Sequence, residues 1–183
     1  MKSLIVLLLA AAPLLSAPNP RGGAVDEGRA RVTRDAVKGV DTQFDRKLQS
    51  LWPDSPVSIL GPTQGAYLPG YGVVFMAEVD LAPTAGISPF HQKITPDEAV
   101  RTHKKKIERL SALKDTMTQM LIESAGMLEG IPDTEQITLA VSLFFWTGED
   151  TASLPMQLVV HATRGALRAG KAAAASAIKM EQF

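Results

Sequence analysis

The stretch TPDEAVRTHKKKIERLSALKDTMTQMLIESAGMLEGIP, residues 95–132, decides the fold. It opens with Thr95 as a helix N-cap, Pro96 at the first helical position and Glu98 three residues after the cap. In that order these residues satisfy the free amides of a first turn. Apolar or packable side chains then recur at Val100, His103, Ile107, Leu110, Leu113, Met117, Met120, Leu121, Ala125 and Leu128, which is helical spacing for nearly the whole run. Gly130, followed by Ile131 and Pro132, stops it. The charges on this helix, Arg101, Lys104, Lys105, Lys106, Arg109 and Lys114 against Asp97, Glu98, Glu108, Asp115, Glu123 and Glu129, read as a solvated face with local pairing.

Strands flank this helix. Upstream, residues 71–81 alternate, with Tyr71, Val73, Phe75, Ala77, Val79 and Leu81 on one face. The other face starts apolar at Val74 and Met76 and ends polar at Glu78 and Asp80. That pattern predicts a strand buried on one side and half covered on the other. A shorter β-prone run, residues 57–60, is closed like a turn by Gly61 and Pro62. Downstream, residues 136–146 and 156–163 predict two more strands, joined through the turn-rich Thr147-Gly148-Glu149-Asp150. Residues 29–51 carry an amphipathic stripe, Val32, Ala36, Val40, Phe44, Leu48 and Leu51, and the alanine-rich residues 166–180 predict a closing helix. The fold class is therefore α+β: an antiparallel sheet of about four strands packed against a long central helix and terminal helices. No internal repeat is visible.

The start of the chain carries an address. Lys2 precedes the apolar run 4–12, and Pro13, Ser16 and Ala17 follow it. This is the layout of a secretory signal peptide, and the run is shorter than the ~20 residues a membrane span needs. We expect residues 1–17 to be a signal, cleaved after Ala17, with a retained anchor as the alternative. Residues 18–28 form a flexible lead-in of Pro, Gly, Arg and acid, and residues 29–183 form a single domain of a size that buries a core. No cysteine is present, which excludes disulfides, thiolate metal sites and cysteine nucleophiles. The sole asparagine, Asn19, precedes Pro20, so no glycosylation sequon exists. Without Lys2 the remaining chain holds 18 basic and 19 acidic side chains, a balance that gives no field for nucleic acid. The expected location is periplasmic or secreted, in a bacterial envelope, with no transmembrane span after cleavage. The layout resembles that of exported α+β proteins of bacteria and carries no functional residue across.

Candidate chemistry is sparse. Gly165-Ala166-Leu167-Arg168-Ala169-Gly170-Lys171-Ala172 has the glycine and lysine spacing of a phosphate-binding loop, but Ala172 stands where a hydroxyl must hold magnesium. Ser124 lies inside a helix rather than at a strand-to-helix elbow. The three histidines, His91, His103 and His161, form no pair one helical turn apart, so no metal site or cofactor is expected. Glu78 and Asp80, two residues apart on one strand face, are separated by about 7 Å. They are the weak candidates for paired acid and base catalysis, with His91 or His161 brought in by the fold. Tyr67 and Tyr71 lie in a glycine-rich loop, 65–72, where ring surface could meet a ligand or partner; a tight strand entry explains the same residues.

Three readings follow. The first is a non-catalytic envelope protein that binds another envelope protein or helps an assembly, with Met117, Met120 and Met127 suited to a core or a contact surface. The second is a periplasmic hydrolase using Glu78, Asp80 and a histidine, which needs a pocket where those groups converge. The third is a binder of small apolar ligands, which needs an apolar cavity.

Overall fold

Thr95 caps the long helix as its sequence predicts. Its hydroxyl accepts from the Glu98 amide at 3.3 Å, while the Glu98 carboxylate takes the Thr95 amide at 2.9 Å. The computed structural model describes residues 32–83 and 94–183. The expected signal, the whole lead-in and His91 lie outside the described residues. Along the chain run α1 (Arg34–Ser50), β1 (Ser58–Leu68), β2 (Gly72–Asp80), α2 (Pro96–Met127), β3 (Gln136–Leu143), β4 (Gln157–Thr163), α3 (Arg164–Arg168), α4 (Lys171–Ala177) and β5 (Lys179–Gln182). The fold is α+β, with one five-stranded sheet in the order β1-β2-β3-β4-β5.

The sheet differs from the expected antiparallel one at a single joint. β2 and β3 run parallel, Val73 opposite Ile137 through Val79 opposite Leu143, and every other neighbouring pair is antiparallel. The cause is α2: parallel neighbours need a crossover, and a 32-residue helix returns the chain to the end of the sheet where β2 began. The fifth strand was hidden in the alanine-rich tail. Gly170, at φ +108, breaks that tail into α3 and α4, and Lys179–Gln182 then pairs with β4. At the opposite edge β1 is longer than its sequence suggests. It continues through Gly61 and Pro62 with register shifts between Ile59 and Gly61 and between Gly61 and Gln64. An edge strand tolerates that proline because its outer amides have no ladder to make.

All core residues lie on one side of the sheet. Val73, Phe75 and Val79 from β2, Ile137, Leu139 and Val141 from β3, and Leu158 and Val160 from β4 meet Val40, Phe44 and Leu48 of α1 and Leu113, Met117, Met120 and Leu121 of α2. Met117 and Met120 are fully buried, and Met127 packs partly buried against the same cluster, so these methionines are core. Arg164, itself buried, fastens the end of α2 by donating to the carbonyl of Ala125 in its last turn and to that of Ile131 just beyond it.

The inward stripe of α2 corrects the sequence reading in its first half. Val100 and Ile107 are exposed at 69% and 43%, while Thr102, Lys106 and Arg109 are buried. Stepping back from Leu113 by three and four residues lands on 109, 106 and 102, whereas the apolar positions 110, 107, 103 and 100 are spaced too tightly and drift off that face. Lys106 and Arg109 are therefore not part of a solvated face.

Candidate functional site

Asp80 ends β2 with its carboxylate buried. One oxygen accepts from the Ala82 amide at 3.1 Å and lies 3.2 Å from Lys106 Nζ. Lys106 also reaches Glu149 at 2.6 Å and the Phe144 carbonyl at 2.8 Å, and it lies 4.6 Å from the centre of the Phe145 ring. Next to it Arg109 donates to the carbonyls of Leu81 and Ser55 and stacks over Trp52. Burial lowers the Arg109 pKa from its ordinary value, against the raising effect of Asp80. Two cations and two carboxylates thus tie α2 to the ends of β2 and β3 and to the loop after β3. Asp80 is thus engaged by Lys106 and the Ala82 amide.

Glu78 goes elsewhere. Its side chain is exposed on the sheet face opposite the core, together with Val74 and Met76. No described helix packs on this face. Ala66 and Gln64 of β1, Thr138, Ala140 and Ser142 of β3, and Val159 and His161 of β4 share it by register. His161 is opposite Thr138, which is opposite Val74, so it lies four residues along and two strands across from Glu78. That is a separation of roughly 16 Å between backbone positions. His161 instead lies 3.5 Å from Glu181 of β5. The structure does not bring Glu78, Asp80 and His161 together.

At the bulge of β1 the uncovered face dips into a groove of about 430 Å³. Leu60, Pro62 and Met76 supply its apolar surface and Glu78 its charge. Leu60 and Met76 are 45% and 55% exposed. Glu78 makes no hydrogen bond or ion pair among the described residues.

The two tyrosines separate. Tyr67 is half-buried against the core, and its hydroxyl meets Glu135 at 3.4 Å. Tyr71 is 44% exposed and reaches Thr138 at 3.2 Å, which lays its ring on the uncovered face. Between them Leu68 to Tyr71 form a tight turn, the Tyr71 amide donating to the Leu68 carbonyl at 3.0 Å with Gly70 at φ +84. Pro69 and a left-handed glycine in that order suit a type II turn. Gly72 is needed for a different reason: a Cβ there would lie 1.9 Å from the Gln136 carbonyl oxygen. Most of the loop's glycine and proline content is thus explained by the strand entry, while Tyr71 and Leu68, the latter 49% exposed, contribute to an open surface.

The remaining motifs are structural. Gly165 and Gly170 fall in and after α3, with Gly165 against the Asp133 carbonyl oxygen, where a Cβ would be 2.9 Å away. Ser124 is buried and donates to the Leu121 carbonyl. His103 Nδ1 is 2.9 Å from the Asp150 carbonyl oxygen. Among the described residues no group of three or more His, Asp or Glu side chains could hold a metal ion, and no helix is long and apolar enough to cross a membrane. Sequence reading missed the Lys106 cluster because buried and solvated lysines look alike in a charged run. Comparison with protein-family models, curated proteins and solved structures finds no match for this chain.

Proposed function

We propose that the chain is an exported, non-catalytic interaction module of a bacterial envelope, which takes a segment of another protein on the uncovered face of its sheet. The observation that carries this reading is that face itself: a five-stranded sheet whose described helices all pack on one side, with exposed Leu60 and Met76 beside Glu78 on the other. Exposed apolar surface rimmed by polar groups is what a contact site presents before its partner arrives. The chemistry of the groove selects the partner. An apolar side chain would cover Leu60, Pro62 and Met76, and a neighbouring lysine or arginine would pair with Glu78. The signal-like residues 1–17 support the location.

The hydrolase reading has less support, since Asp80 is held in an ion pair and Glu78 lies far from His161. Crosslinked capture from envelope extracts tests the proposal, with Met76→Asp and Glu78→Lys as paired controls. The expected result is a specific partner retained by the native chain and lost by both variants, whose thermal midpoints stay unchanged. Capture that ignores both substitutions sinks the groove as its site.

A further inference from the structure

At the edge of the sheet away from the groove, β5 pairs on one side only. Among the described residues its partner is β4, with Gln182 opposite Leu158, Glu181 opposite Val159, Met180 opposite Val160 and Lys179 opposite His161. The Phe183 amide donates to the Gln157 carbonyl at 3.1 Å, and the Phe183 carbonyl accepts from the Gln157 amide at 3.2 Å. In an antiparallel ladder such mutual pairs recur at every second residue, so Glu181 and Lys179 also turn their backbone groups inward to β4. Met180 and Gln182 then turn theirs outward, to an edge that no proline or bulge closes. Side chains alternate between the faces of the sheet. Met180 packs half-buried at the margin of the core, while Lys179, Glu181 and Phe183 are exposed on the uncovered face. Glu181 lies 3.5 Å from His161, and Lys179 makes no ion pair among the described residues.

We propose that two copies of this chain pair through β5, as antiparallel strands about a two-fold axis that passes between their Met180 residues. Charge complementarity selects a second copy as the occupant of this edge. Centring the pair on Met180 lets each Met180 give and take one backbone hydrogen bond. It also sets Lys179 opposite Glu181 of the second copy on the uncovered face, twice by symmetry. Those positions are non-hydrogen-bonded ones, where facing Cα atoms come within about 4.5 Å and side chains meet most closely. Centring one residue to either side puts Lys179 against Lys179 or Glu181 against Glu181, which like-charge repulsion disfavours. Centring on Gln182 sets the Glu181 carboxylate against the Phe183 ring. The run Lys179-Met180-Glu181 is therefore complementary to itself in one register, and that register is the one the outward backbone groups of Met180 allow. Phe183, 64% exposed, falls diagonal to Lys179 of the second copy and covers its stem. The interface is small, so the association is weak and concentration-dependent. It joins two five-stranded sheets into one continuous sheet and leaves the groove of each copy free at the outer edge.

This inference does not depend on the groove across the sheet, and its test uses the purified protein alone. Sedimentation velocity is measured from about 5 to 500 µM, the range in which small interfaces associate. The native mass should move from monomer toward dimer across that range. Lys179→Glu sets acid against acid at the interface and Glu181→Lys sets base against base. Both side chains are exposed, so the thermal midpoints should stay unchanged while each variant alone raises the dimer Kd roughly tenfold, the effect of turning two attractive pairs into repulsive ones. An equimolar mixture of the two variants should dimerise like the native chain, because each supplies the charge that the other has lost. Lys179→Glu with Glu181→Lys in one chain should do the same. The proposal is overturned if the native chain stays monomeric to the highest concentration, or if the single variants dimerise like the native chain, which would put the contact on another surface. It is equally overturned if the mixture and the doubly exchanged chain stay monomeric, which would exclude this register.

Discussion

Replacing Lys106 by methionine removes a cation that is 1% exposed and leaves the stem volume nearly unchanged. The loss is therefore electrostatic rather than a cavity. Asp80 and Glu149, at side-chain exposures of 4% and 2%, are left facing each other's charge without the ammonium between them. The Phe144 carbonyl loses its donor as well. Removing one member of a buried ion pair costs about 3–5 kcal/mol. For a domain of this size that shifts the thermal midpoint downward by roughly 6–20 °C. Urea denaturation followed by circular dichroism measures it directly. The same experiment on Lys106→Met with Asp80→Asn and Glu149→Gln should recover much of the loss, because uncharged partners no longer need the cation. A single variant that loses less than about 1 kcal/mol would show that the three side chains are hydrated and that the cluster does not hold α2 to the strand ends.

Three further expectations rest on local geometry. Thr95→Ala removes the capping box of α2 and should cost about 1 kcal/mol in chemical denaturation, with little change in fold. Gly72→Ala forces a methyl into the Gln136 carbonyl and a side chain into φ +132, so the protein should be recovered mostly unfolded or insoluble, whereas Gly61→Ala, with open space at its Cβ, should fold normally. Asp41 has a folded pKa raised above 3.8 by burial, so its protonated form stabilises the fold at pH below 3.8, and that contribution is lost as pH rises through the folded value. Asp41→Asn should flatten this part of the stability–pH curve and be no less stable than the native chain at pH 7; an unchanged curve would count against a buried carboxylate.

How much of this could be read from sequence depends on whether local chemistry or distant packing decides each feature. The capping box, the outward and inward alternation of β2, and the stop after Leu128 follow from neighbours within a few residues, and all are seen. The parallel pairing of β2 with β3 is set by where a 32-residue helix delivers the chain, which no local pattern encodes. The tail failed for a similar reason. Alanines favour a helix, but one glycine at φ +108 and the open edge of β4 convert its last residues to a strand. At the site level, Glu78 and Asp80 share a strand face on paper, yet one is exposed and the other is drawn under α2 by Lys106, a partner too far along the chain for a short window to connect.

The bulge of β1 forms one wall of the groove on the uncovered face, where Pro62 and Gln64 line it. Between them Thr63 is buried and pinned by Asp45, which accepts its amide at 3.1 Å and its hydroxyl at 2.5 Å. Asp45→Ala removes both bonds and leaves two buried donors without an acceptor, so the expected loss is about 2–4 kcal/mol. Thr63 sits within the register shift between Gly61 and Gln64, so the variant should also weaken partner capture on the uncovered face. Thr63→Val, which keeps the amide bond and drops only the hydroxyl, should produce a smaller version of the same effect. Loss of stability with capture intact would mean that the bulge does not shape the groove, and that Met76 and Glu78 of β2 define it without β1.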